Sequence, residues 1–192
     1  MKHFKVKNGR SFYLGFLLSI ALSMNFALGL EFSGLDLTDP ELSQRTKTLR
    51  PAQKALVLVF LSAKCPCSAA HEEVLRSLAL KYQNDGFEFL GLHSNQDESV
   101  EFAKTHFLKS RIPFSVLHDD HAQYAKRFDA LKTPHVFILD AAGKILFNGG
   151  ISDRRNPSEA SRNYLEEGLE DIKLSRPVRT TQVRTLGCVI SR

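Results

Sequence analysis

The chain has 192 residues, 43% of them hydrophobic, which suits one domain with a buried core rather than two. Its formal charge of +5 is concentrated at the start: removing residues 1–29 takes four of the 26 basic residues and no acid, leaving 22 against 21 acidic residues. Net charge therefore gives no footing for a nucleic-acid partner.

Lys2, Lys5, Lys7 and Arg10 precede an apolar run over residues 12–22, and Ala27 and Gly29 follow at the spacing of a cleavage site. This is the pattern of a signal peptide, here residues 1–29, and it predicts an exported, periplasmic or secreted protein. The alternative is an uncleaved anchor, since residues 12–30 nearly reach the roughly 20 residues of a membrane span. In that case alone would a membrane be a partner.

From Ala55 to Leu61 an unbroken apolar run, ALVLVFL, reads as a central strand buried on both faces. His71, Val74, Leu75, Leu78 and Tyr82 follow at mostly helical spacing, and residues 87–92 form a second strand, so a parallel βαβ unit is expected. A second helix over 97–107, a strand over 114–117 and a brief helix over 121–128 lead to Lys132-Thr133-Pro134. Residues 135–139 and 144–147 flank Asp140 to Gly143 as an antiparallel hairpin. An amphipathic helix over 158–174 closes an α/β domain of residues 30–174, a mixed central sheet with helices on both faces. Residues 175–192 remain as a basic tail carrying Arg176, Arg179, Arg184, Arg192 and Cys188.

Cys65, Cys67 and Cys188 are the three cysteines, and an odd count leaves at least one thiol free or paired outside the chain. Cys65 falls between the first strand and the first helix. Pro66 suits the first helical position, which makes Cys65 the cap, where helix dipole and unpaired N–H groups stabilise a thiolate. Lys64 adds a positive charge nearby. Residues three apart share a helix face, so Ser68 rather than Cys67 should look toward Cys65 and donate its hydroxyl. A Cys65–Cys67 disulfide would require the first turn to unwind. Of six histidines after residue 29, only His71 and His135 stand where they could approach the thiols, and none has the spacing of a zinc site with the cysteines. Pro134 stands in a turn of the kind where cis X-Pro bonds concentrate. Gly149-Gly150 lacks the context of a phosphate cradle.

The stretches LVLVFLSAKCPCSAAHEEV and KTPHVFILDAAGKILFNGGISD resemble the thioredoxin-like redoxins of exported bacterial proteins, including the alkyl hydroperoxide reductase/thiol-specific antioxidant and cytochrome-maturation thioredoxin groups. The resemblance spans about residues 50–174 and implies a thioredoxin-like three-layer fold. It implies Cys65 as nucleophile, Ser68 at the position of the second cysteine of C-x-x-C, and Thr133-Pro134 as the cis-proline segment beside the site. The closing TLGCVI resembles the carboxyl end of some exported redoxins. Two departures count: Ser68 removes the ordinary dithiol, and Leu58 and Ser62 supply only the second half of the Pro and Thr/Ser pair that peroxiredoxins carry before the nucleophile.

The leading expectation is a thiol oxidoreductase without cofactor or metal, acting on a redox partner protein or a peroxide. The resolving thiol would come from Cys188, Cys67 or another protein. An extended tail from residue 174 to 188 spans on the order of 45 Å and can reach the site. Thr180 to Val183 could lie along a sheet edge, and Leu186, Val189 and Ile190 could bury apolar area around Cys188. The alternatives are a Cu(I)-binding protein using Cys65, Cys67 and a histidine, or a redox-inert binding module.

Overall fold

A computed structural model describes residue 1, residues 30–50 and residues 52–192. Residues 1–29, expected as a signal peptide, lie outside these apart from residue 1. Among the described residues no helix is long and apolar enough to cross a membrane.

In chain order the elements are β1 (Glu31–Leu35), β2 (Gln44–Thr48), β3 (Ala55–Leu61), α1 (Pro66–Tyr82), β4 (Phe87–His93), α2 (Val100–Ser110), β5 (Val116–His118), α3 (Gln123–Arg127), β6 (Lys132–Thr133), β7 (His135–Leu139), β8 (Ile145–Gly149), α4 (Tyr164–Lys173) and β9 (Cys188–Val189). The central sheet runs β5-β4-β3-β7-β8. β3 pairs with β4 in parallel and with β7 antiparallel, so the sheet is mixed, as expected.

β3 is completely buried because both of its faces are covered. Ala55, Val57, Val59 and Leu61 pack with Leu75 and Leu78 of α1, Ala103 and Phe107 of α2 and Leu165 and Leu169 of α4. Leu56, Leu58 and Phe60 pack with Phe32 of β1, Tyr124 and Ala125 of α3 and Ile190 near the C terminus. Strand alternation thus divides one apolar run between two cores.

Helix boundaries follow capping chemistry more closely than apolar spacing. α2 starts three residues later than spacing predicts, because Ser99 caps it by accepting from the Phe102 N–H at 3.3 Å. α4 starts at Tyr164 rather than 158, capped by Asn163. The hairpin turn before β8 is fixed by Asp140, whose carboxylate accepts from the N–H groups of Ala142 and Lys144, with Gly143 at φ +81.

The C-terminal segment returns along the domain. Arg176 and Arg179 pair with the buried Asp171 of α4 at 3.0 Å each. Asn148 of β8 then exchanges backbone hydrogen bonds with Thr181 and Val183, so the stretch expected at a sheet edge does lie along one. Further on, β9 pairs antiparallel with β6, Thr133 opposite Cys188. The final residues are tied down. Ile190 N–H donates to the Leu131 carbonyl, Gln96 N–H donates to the Ser191 carbonyl, and Ile190 is only 3% exposed. Ile190 alone of the three expected apolar anchors is buried, since Val189 is 72% exposed and Leu186 half-buried.

Candidate active site

Cys65 is the N-cap of α1 with extended backbone (φ −78, ψ 115), and Pro66 occupies the first turn. Its side chain sits under β9 and is 2% exposed. Cys65 Sγ lies 2.7 Å from Cys188 Sγ, and its thiol donates to the Thr133 carbonyl at 3.2 Å. The Thr133–Pro134 bond is cis. The three sulfurs of Cys65, Cys67 and Cys188 all lie within 4.8 Å of one another.

The proximity of Cys67 departs from the helix-face expectation. That argument holds for two residues both inside a helix, whereas the extended φ/ψ of Cys65 places it before the first turn and swings its side chain toward its neighbour. Ser68 also differs from expectation. Its buried hydroxyl accepts from the Ser62 N–H at 3.3 Å, and it is the Ser68 backbone N–H that reaches the Cys65 sulfur. Lys64 turns away, its Nζ donating to the Asp97 carbonyl at 2.6 Å.

Burial opposes ionisation of Cys65, but hydrogen bonding from the Cys188 thiol, from the Thr133 side chain and from the N–H groups of Ser68 and Cys188 outweighs it. The Cys65 thiol is lowered to about 7. Cys188 shifts the opposite way, raised by burial and then by its hydrogen bond to and repulsion from the Cys65 thiolate. Cys67 is raised by burial and by the same neighbouring charge. One thiolate is thus held between two thiols.

The loop before Cys65 hangs on a buried carboxylate that nothing in the sequence reading singled out. Glu98 accepts from the Ser62 hydroxyl at 2.5 Å, the Ala63 N–H at 2.8 Å and His93 Nε2 at 3.1 Å. Ser62 Oγ in turn accepts the N–H of Cys65 at 3.0 Å. The Ser62 proton therefore points at Glu98 and not at the sulfur.

Gly187 was the other residue missed. A Cβ there would overlap the Thr133 carbonyl, so only glycine lets β9 come this close to β6. The candidate histidines are held elsewhere. His71 is buried between the Cys67 carbonyl (2.8 Å) and Ser152 (2.9 Å), and burial lowers its pKa. His135 bonds Asn148 at 2.5 Å.

The chain is similar in structure to a hypothetical protein from Sinorhizobium meliloti 1021 (TM-score 0.73, 24% identity, covering 85% of this chain and 91% of that one). It is also similar to an uncharacterized conserved protein from Geobacillus kaustophilus (TM-score 0.75, 24% identity, 85% and 89% covered). The thioredoxin domain of a thiol-disulfide oxidoreductase from Bacteroides vulgatus matches with TM-score 0.53 and 15% identity, over 62% of this chain and 84% of that one. These likenesses establish the thioredoxin-like fold. A comparison with curated proteins finds no match. Residues 31–147 match the AhpC/TSA family, which takes in the strand, the Cys65 loop, the first helix and the cis-proline segment. The chain belongs to the AhpC/TSA family of thioredoxin-fold proteins.

Proposed function

We propose that the protein is an exported thiol-disulfide oxidoreductase in which Cys65 attacks and Cys188 resolves. The observation that carries this reading is the 2.7 Å approach of the two sulfurs, from which a shift of less than about 1 Å reaches S–S bond length. In the cycle the Cys65 thiolate attacks a disulfide of the redox partner protein, forming a mixed disulfide and releasing one partner thiolate. Cys188, losing its proton, attacks Cys65 Sγ. The Cys65–Cys188 disulfide forms, the second partner thiol leaves, and two electrons have passed to the partner. The reverse sequence oxidises a dithiol partner. The same thiolate is the group a peroxide would oxidise, but Leu58 stands where peroxiredoxins place proline and the Ser62 proton is committed to Glu98. Disulfide exchange is therefore the reading the geometry favours.

The test is trapping. Reduced protein mixed with a small-molecule disulfide, glutathione disulfide, should pass through a transient adduct at Cys65. The Cys188→Ser variant should accumulate that adduct, while Cys65→Ser forms none. A Cys188→Ser protein that clears the adduct as fast as the parent would overturn the resolving role.

A further inference from the structure

Cys67 has no part in that cycle, yet its sulfur completes a triangle with the other two. We propose that the reduced protein binds one Cu(I) ion in a three-coordinate site made by the sulfurs of Cys65, Cys67 and Cys188.

The spacing fits the ion. With metal–thiolate bonds of about 2.3 Å, three sulfurs around a trigonal ion lie about 4 Å apart, and the three here fall within 4.8 Å of one another. Cys65 and Cys188 need to separate by somewhat more than 1 Å from their 2.7 Å contact. Cys188 lies on the two-residue β9, so the shift moves one short strand.

The donor set selects the metal. Soft thiolates favour Cu(I), whereas structural zinc almost always takes four ligands. Among the described residues no histidine or carboxylate joins the three sulfurs. The histidine foreseen as a copper ligand is replaced by Cys188, since among the described residues the group that gathers Cys65 and Cys67 takes in Cys188 and no histidine.

Charge points the same way. Three thiolate charges within 4.8 Å of one another repel. A cation at the centre reverses that repulsion and displaces the remaining protons, with copper staying Cu(I) throughout. Cys65 caps the N-terminal end of the 17-residue α1, whose dipole favours the negative charge of the complex. A Cys65–Cys188 disulfide removes two of the three ligands, so copper binding and the redox cycle exclude each other, and oxidation by a disulfide partner releases the ion.

The experiment titrates the reduced full chain anaerobically with Cu(I), added as its acetonitrile complex, against a chromophoric Cu(I) chelator. One equivalent should be retained, all three thiols should resist alkylation, and Cys67→Ser and Cys188→Ser should each lose at least about tenfold in affinity. Unchanged affinity in Cys67→Ser, copper retained when all three cysteines are serine, or retention of Zn(II) with Cu(I) excluded would each overturn the site. Formation of the Cys65–Cys188 disulfide in metal-free Cys67→Ser shows that this variant folds around the site. It also reads the redox proposal separately, so the two can fail independently.

Discussion

Replacing Gly187 by alanine should slow formation of the Cys65–Cys188 disulfide on the order of 100-fold while the domain stays folded. The added methyl collides with the Thr133 carbonyl, a backbone atom in a buried residue that cannot give way as a flexible side chain would. β9 is then held off β6, and Cys188 loses its position opposite Thr133. An oriented pair of groups in contact reacts with effective molarities far above the millimolar range of a flexibly tethered one, which sets the size of the loss. Neither core cluster contains Gly187, so the melting temperature of the reduced protein should fall by only a few degrees. Quenched-flow oxidation with glutathione disulfide, followed by thiol counting, measures the rate. An unchanged rate would show that the tail finds Cys65 without the strand pairing.

Glu98→Ala should cost about 3–5 kcal/mol, among the largest single-residue effects outside the apolar cores. The substitution strands the Ser62 hydroxyl, the Ala63 N–H and His93 Nε2–H, which converge with the Lys64 N–H on one carboxylate 4% exposed. At about 2–4 °C per kcal/mol for a domain of this size, the melting temperature should drop by about 10 °C. The pH dependence identifies the carboxylate as the cause. Burial pushes Glu98 up, but the hydrogen bonds from His93 and Ser62 outweigh it and leave the group below its ordinary 4.5. Its stabilisation is thus complete above about pH 4.5 and disappears as pH falls through the lowered value. Glu98→Gln should flatten this acid limb, which thermal melts between pH 3 and pH 7 will show. An acid limb identical in parent and Gln variant would mean that another carboxylate governs it.

How far the residues themselves announced this arrangement depends on whether the signal was local. The β3 run, Pro66 after Cys65 and the Lys132-Thr133-Pro134 segment each carry their reason within a few positions, so strand, cap and cis-proline segment were all legible. β1 and β2 were not. β2 reads QRTKT, is mostly exposed, and forms because its backbone pairs with β1 rather than because it buries apolar side chains. Glu98 lies in the polar run NQDES, which looks like a solvated turn until the fold brings Ser62 and His93 to it. The glycine before Cys188 was visible as a Gly-Cys pair, yet its purpose is a close backbone approach to a strand 54 positions earlier, Thr133, and spacing along the chain contains no trace of that. The orientation of Cys67 escapes helix spacing for a related reason. Helix periodicity begins at Pro66, and Cys65 is a cap whose φ/ψ are not helical.

Whether Cys188 resolves Cys65 is decided by a disulfide map of the chain after mild oxidation with glutathione disulfide, digested at acidic pH to prevent exchange. A single linked peptide joining Cys65 to Cys188 is expected, with Cys67 recovered as a free thiol. A Cys65–Cys67 peptide in its place, or Cys188 found only in links between chains, would contradict it.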